Sequence, residues 1–263
     1  MDAELVLAPF VLDGVQAKLA EAAGFEAVYM SGFGTAASFG LPDMGLIALG
    51  EMAANATRIA SAVRVPVVAD ADTGYGNETN VAHTVAAYER AGVAALHIED
   101  QEWPKRCGFL EGKRVIAQED MVAKLKAAIA ARSDSGLVII ARSDALAPNG
   151  WDDALSRARA YRAAGADMVF LDGLKTLADI ERAATELRGI PQLLNSWLVT
   201  PQEAQHLGFQ LYIQLAVMLR QFAAFRDTLT ELRDTGRVAL GPGDESVQPI
   251  TDLLANSVST AER

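Results

Sequence analysis

Eight short apolar or β-branched runs recur along the chain, each followed by an alanine-rich stretch with helical spacing. The runs are LVLAPFVL, EAVYMSG, VPVVADAD, AALHIED, GLVIIARSD, DMVFLDG, PQLLNSW and LYIQLA. Helical candidates between them include VQAKLAEAAG, GEMAANATRIASAV, NVAHTVAAYERAG, QEDMVAKLKAAIAAR, DDALSRARAYRAAG and LADIERAATELRG. The runs are continuously apolar rather than alternating, so both faces of each strand must be covered, as in a parallel sheet. Several helices end in Gly, which suits the positive φ of a C-cap. Eight strands alternating with helices predict an α/β fold, a closed (β/α)8 TIM barrel. A doubly wound open sheet shares this periodicity and is the alternative.

A length of 263 residues fits one such barrel, and 51% hydrophobic residues supply its core. The chain therefore reads as a single domain over residues 1–263, with 217–263 as a C-terminal helical appendage. That tail begins with VMLRQFAAFRDTLTELRDTG, turns at GPGDES and ends in VQPITDLLANSVSTAER. A net charge of -11 argues against nucleic acid and anionic membranes as partners. Small anionic substrates stay open, because local arginines and a metal can reverse the potential inside a pocket. One cysteine permits no intrachain disulfide and fits a reducing compartment. The first residues, MDAELVLAPFVLDG, lack a basic leader and a long apolar run, so a cytoplasmic location is expected.

Polar residues gather where the strands end: Ser31-Gly32, Asp70 and Asp72, Glu99 and Asp100, Arg142 and Asp144, Asp172, Asn195-Ser196. A barrel places its chemistry at that end. Asp70 and Asp72 share strand parity, so both carboxylates are expected on one side. With Glu99 on the next strand they make an all-oxygen cluster suited to Mg2+ or Mn2+. An Asp-rich turn in front of TGYG is the bland alternative, and GYG alone is a weak phosphate-loop signal. His97 reads either as a hydrogen-bonded core residue or as a base. Arg142 and Asp144 read as a structural ion pair or as an arginine fork for a substrate carboxylate. Cys107 lies between Arg106 and Gly108, outside any apolar run. Lys105 and Arg106 would favour its thiolate, and Gly108 and Gly112 would free the loop. The other reading is an inert buried thiol. Phe33, Trp103, Phe109 and Trp197 are candidate pocket walls or core residues.

Taken together and in this order, DADTGYG, HIEDQEWPKRCG and ARSDA resemble the isocitrate lyase/phosphoenolpyruvate mutase superfamily over about residues 20–220. The resemblance implies a (β/α)8 barrel, a homo-oligomer (dimer or tetramer) with a helix exchanged between subunits, and Mg2+. By the same resemblance Asp43, Asp70, Asp72 and Glu99 surround the metal and its waters. Tyr29, Ser31, Gly32, Phe33, Asp72, Arg142, Asp172 and Asn195 contact a small carboxylate substrate. KRCG matches a gating loop that brings Lys105, Arg106 and Gly108 to the substrate, with Cys107 as its acid/base. Cys107, Arg142, Glu99 and His97 carry the expected catalysis. The implied reaction is retro-aldol C–C cleavage of a 2-hydroxy di- or tricarboxylate of methylisocitrate or dimethylmalate type. The alternatives are a phosphonopyruvate or carboxyphosphonoenolpyruvate mutase, an oxaloacetate hydrolase or decarboxylase, or a binding protein that keeps the barrel. Phe109 stands where the family's lyase loop has His, and Asp172 where it has Glu. The stretch VLDGVQAKLAEAAG is shorter than the family's.

Overall fold

Aliphatic and β-branched residues stiffen each apolar run into a strand that can be buried on both faces. A computed structural model describes residues 4–108, 110–241 and 246–255. β1 (Val6–Val11) leads through α1 (Gly14–Ala22) to β2 (Val28–Met30), then α2 (Gly32–Ser38) and α3 (Leu49–Ala62). β3 (Val67–Asp70), α4 (Glu78–Ala91), β4 (Ala95–Glu99) and α5 (Gln118–Ala131) follow. Then come β5 (Val138–Ser143), α6 (Leu146–Asn149), α7 (Trp151–Ala163), β6 (Met168–Leu171) and α8 (Leu177–Glu186). The last repeats are β7 (Gln192–Asn195), α9 (Pro201–Leu207), β8 (Leu211–Gln214) and α10 (Ala216–Thr235), with α11 (Gln248–Ala255) beyond them. Every one of the eight runs becomes a strand.

Neighbouring strands are parallel and in sequence order, and β8 pairs with β1, so the sheet closes. This rules out the open doubly wound sheet. Ala8, Ala27 and Ala95 leave room inside the barrel for Phe10, Tyr29 and Phe170, which fill it as a packed core. Between sheet and helices lies a second apolar layer that includes Met30, Met52, Ile59, Leu96 and Ile139. The register sets the mouth: Asp70 lies opposite His97, and Glu99 opposite Arg142.

α10 departs from the barrel. Its first turn is anchored by Met218, the helix's buried residue, whose Cε would lie 2.7 Å from a Cβ placed on Gly34. Beyond that turn Phe222, Phe225, Leu229 and Leu232 share one helical face and are exposed. α11 packs against α1. Among the described residues no helix is long and apolar enough to cross a membrane.

Candidate active site

β3 ends at Asp70, and the chain then turns sharply, with Asp72 at φ +47 and Tyr75 at φ +60. Non-glycine residues rarely adopt this left-handed region, and such strain clusters at working sites. The two carboxylates do converge, but through this turn rather than through strand parity, because Asp72 lies beyond the strand. The Asp72 N–H donates to Asp70 Oδ1 (2.9 Å). Gly32 lies against both acids. A Cβ there would come 2.8 Å from Asp70 Oδ2 and 3.1 Å from Asp72 Oδ1. The Gly32 N–H donates to Asp70 Oδ2 (3.0 Å), and Ser31 caps α2 at the Gly34 N–H (3.4 Å). The Ser31-Gly32-Phe33 turn was expected to bind substrate through its backbone. The Gly32 N–H is instead committed to Asp70, while Ser31 and Phe33 line the cavity.

Lys105 crosses the mouth from the loop after β4. Its Nζ lies 2.5 Å from Asp43 Oδ1 and 2.7 Å from Asp72 Oδ1, with all three side chains buried. Burial alone would lower the Lys105 ammonium pKa, but Asp72, Glu99, Asp70 and Asp43 hold it well above its ordinary value. Burial, with Asp70 and Asp43 close by, pushes the Asp72 carboxyl up to about 7 against the pull of Lys105. Burial also raises Glu99 well above the usual carboxylate range despite Arg142 beside it. Glu99 Oε1 is buried without a partner, while Glu99 Oε2 and Asp72 Oδ1 meet only the cations Arg142 and Lys105. Acids in excess of cations, with an orphaned Glu99 oxygen, fit a hard divalent ion. Among the described residues no three acids, histidines or thiols converge into a direct ligand set. Asp43 and Asp72, two of the four acids assigned to the metal, are bridged here by Lys105.

Tyr29 lines the cavity and its hydroxyl pairs with His97 Nε2 at 2.7 Å. His97 is fully buried behind it, edge-on to Phe170, with Nδ1 3.7 Å from Asp70 Oδ1. Burial holds its pKa down to about 4, so the ring is neutral near pH 7. His97 was expected among the catalytic groups. The structure places it behind the cavity wall, where it holds Tyr29.

Arg142, at the end of β5, forks onto Asp144 through Nε (2.8 Å) and Nη2 (3.0 Å). The structural ion pair is therefore real, and the fork is not free for a substrate carboxylate. The remaining guanidinium edge reaches Glu99 Oε2 (3.1 Å) and Asp172 Oδ2 (3.5 Å) and faces the cavity. Lys113 completes the cluster, donating to Asp144 Oδ1 (2.7 Å) and Asp172 Oδ2 (2.8 Å). Sequence reading missed Lys113. Nothing in its local sequence separates it from a solvated loop lysine.

The segment carrying Cys107 is clasped at its neck. The Glu102 N–H donates to the Arg114 carbonyl (2.9 Å), Gln101 bridges to Val115, and the Ile116 N–H reaches the Asp100 carbonyl (2.9 Å). Inside the loop the Gln101 amide bonds both the N–H and the carbonyl of Arg106 (3.0 and 2.8 Å). The Cys107 N–H donates to the Asp43 carbonyl (3.0 Å), which turns the half-buried thiol residue toward the cavity. Gly108 packs so tightly that a Cβ would overlap Asp172 Oδ2 and lie 2.6 Å from Arg142 Nη2. Arg106, expected to contact substrate, is exposed and does not line the cavity in this structure. Trp103 is also outside it, edge-on to Tyr75 at 6.1 Å. Phe109 lies outside the described residues.

The cavity has a volume of about 480 Å3. Asp43, Asp70, Cys107, Arg142, Asp172 and Asn195 supply its polar groups. Phe10, Phe33, Phe170, Trp197, Leu215 and Leu219 supply apolar lining, with Phe170 against the Arg142 guanidinium. Beneath the mouth, Asp100 accepts from Ser143 Oγ, the Asp144 N–H and the Tyr161 hydroxyl (2.8, 2.8 and 2.7 Å), which fixes the end of β5.

Chemistry gathered at the C-terminal mouth of a closed parallel barrel marks the chain as a barrel enzyme. The sequence profile of the phosphoenolpyruvate phosphomutase family matches residues 2–233, and the chain belongs to that family, within the isocitrate lyase/phosphoenolpyruvate mutase superfamily. It is 44% identical over 187 residues to the 2,3-dimethylmalate lyase of Eubacterium barkeri, covering 71% of this chain and 65% of that protein. It is 41% identical over 237 residues to the 2-methylisocitrate lyase of Aeropyrum pernix, covering 88% of this chain and 75% of that protein. The chain thus spans just under two thirds of the first relative and three quarters of the second. Both relatives are carbon–carbon lyases. Oxaloacetate acetylhydrolase bound to 3,3-difluorooxalacetate superposes with a TM-score of 0.92 at 38% identity, over 98% of this chain and 90% of that one. Phosphonopyruvate hydrolase, solved with oxalate and Mg2+, superposes with a TM-score of 0.86 at 30% identity, over 98% of this chain and 92% of that one.

Proposed function

We propose that the chain is an Mg2+-dependent carbon–carbon lyase acting on a 2-hydroxy di- or tricarboxylate of the methylisocitrate or dimethylmalate type. The observation that carries this reading is the placement of Cys107 in the lining of a cavity that also presents the Arg142 guanidinium and several aromatic and aliphatic side chains. Asp43, Asp70, Asp72 and Glu99 would hold Mg2+ or Mn2+, whose bound charge would polarise the substrate's 2-oxygen and a carboxylate. Asp172, in the cavity wall, takes the hydroxyl proton. The C–C bond breaks, the new carbonyl leaves with one fragment, and the bonding pair stays on the carbon of a carboxylate-stabilised fragment. Arg142 faces that developing charge. The Cys107 thiol then gives its proton to the carbon. Tyr29, held by neutral His97, and Asn195 orient the substrate. Phe10, Phe33 and Phe170 in the lining favour an alkyl-bearing substrate.

We also propose that the chain works as a homo-oligomer. The uncovered apolar face of α10 supports this, because such a stripe on a soluble helix asks for a covering surface.

A turnover panel tests the lyase reading: 2-methylisocitrate, isocitrate, 2,3-dimethylmalate, oxaloacetate and phosphonopyruvate, each with Mg2+ or with EDTA. The expected result is EDTA-sensitive release of a keto acid from a 2-hydroxy substrate, lost by about 100-fold or more in Cys107→Ala while Mg2+ binding persists. Turnover confined to oxaloacetate or phosphonopyruvate, or a fully active Cys107→Ala, would refute it.

A further inference from the structure

We propose that Lys113 is a positioning residue that seats the Cys107 segment against Arg142. Lys113 directly precedes Arg114, one of the neck residues, and follows Cys107 by six positions. Its ammonium is buried and bonds acids at the ends of two different strands, Asp144 after β5 and Asp172 after β6. Both acids also touch Arg142. Asp172 and Arg142 are the groups that a side chain at Gly108 would strike, so their positions set how deeply Cys107 enters the cavity.

Three carboxylates, Glu99, Asp144 and Asp172, surround the Arg142 guanidinium. Lys113 supplies the second cation of this cluster. Without it Asp172 would lose its 2.8 Å partner and pull on Arg142, now 3.5 Å away. Closing that gap would turn the guanidinium from the cavity and fill the space against which Gly108 rests. The effect on chemistry therefore passes through Asp172 and Arg142. Burial alone would lower the Lys113 ammonium pKa, but Asp172 and Asp144 raise it above its ordinary value, which keeps the cation in place. The inference deepens the lyase reading and rests on Cys107 being its acid.

Cys107 is the chain's only cysteine, so its alkylation by iodoacetamide, followed by intact mass, reports its seating without any substrate. Lys113→Met is expected to raise the alkylation rate about tenfold and to lower kcat by about 100-fold, the scale of a 1 Å misplacement, with KM changed far less. Lys113→Arg, which restores a cation, is expected to recover part of both. Alkylation of Lys113→Met at the wild-type rate overturns the proposal, whatever its turnover. If Lys113→Met does not fold, Lys113→Met/Asp172→Asn removes one unpaired buried carboxylate and is held to the same alkylation criterion. No turnover on any 2-hydroxy carboxylate would overturn the lyase reading and leave the alkylation comparison to decide this one.

Discussion

Gly108 is where the geometry leaves least room. An added methyl group must displace Asp172 or the Arg142 guanidinium, both held by buried ion pairs. Gly108→Ala is therefore expected to lower turnover by about 100-fold through misplacement of Cys107. Its melting temperature should fall as well, because the displaced groups belong to buried ion pairs. Equal activity in a steady-state assay would show that the loop can shift at no cost. Asp144 works differently. Burial alone would raise its carboxyl, but Arg142 and Lys113 hold it well below the ordinary carboxylate range. A carboxyl depressed by folding adds stability that is complete above its unfolded pKa of about 4 and is lost as pH falls below it. Melting temperature should accordingly drop as pH falls below about 4, and Asp144→Asn should flatten that drop. The same substitution should cost about 1–3 kcal/mol at neutral pH, since it removes one of two carboxylates from Lys113 and one of three from Arg142; calorimetry at several pH values measures both effects.

At the scale of elements, the strands were legible because burial on both faces of a parallel sheet demands unbroken apolar runs, and turns mark the ends of those runs. The acids after β3, β4, β5 and β6 were legible for the same reason, as polar residues at strand ends. What each acid pairs with was not. Lys105 joins Asp43 and Asp72 across more than 30 positions of sequence, and Lys113 joins Asp144 and Asp172 across a comparable span. Nothing local encodes such pairs. Parity gave the right outcome for Asp70 and Asp72 through the wrong geometry, because the positive φ of Asp72 does the work. His97 takes the buried, hydrogen-bonded one of its two readings, and Arg106 lies outside the cavity lining. A strand residue can be buried behind the wall, and a loop cation can face water.

For the molecule as a whole, α10 is the element whose apolar face the described residues leave most exposed. Phe222, Phe225, Leu229 and Leu232 lie within one stripe, and exposing it to water costs about 25 cal/mol per Å2 of apolar surface. Light scattering after size exclusion is expected to give a mass that is a multiple of 27.9 kDa. Phe225→Asp should shift the population toward single chains without unfolding the barrel, whose core that residue does not enter. A monomeric wild-type protein would sink the oligomer proposal.

The clasped neck has a meaning for how such a molecule can change over generations. With Glu102 tied to Arg114 and Gln101 to Val115, the stretch between them is a cassette inserted at one point of the scaffold. Lys105 and Lys113 tie it to acids at the mouth, and substitutions at its exposed positions alter what hangs over that mouth. One scaffold can thus try new chemistries by redrafting a dozen or so residues.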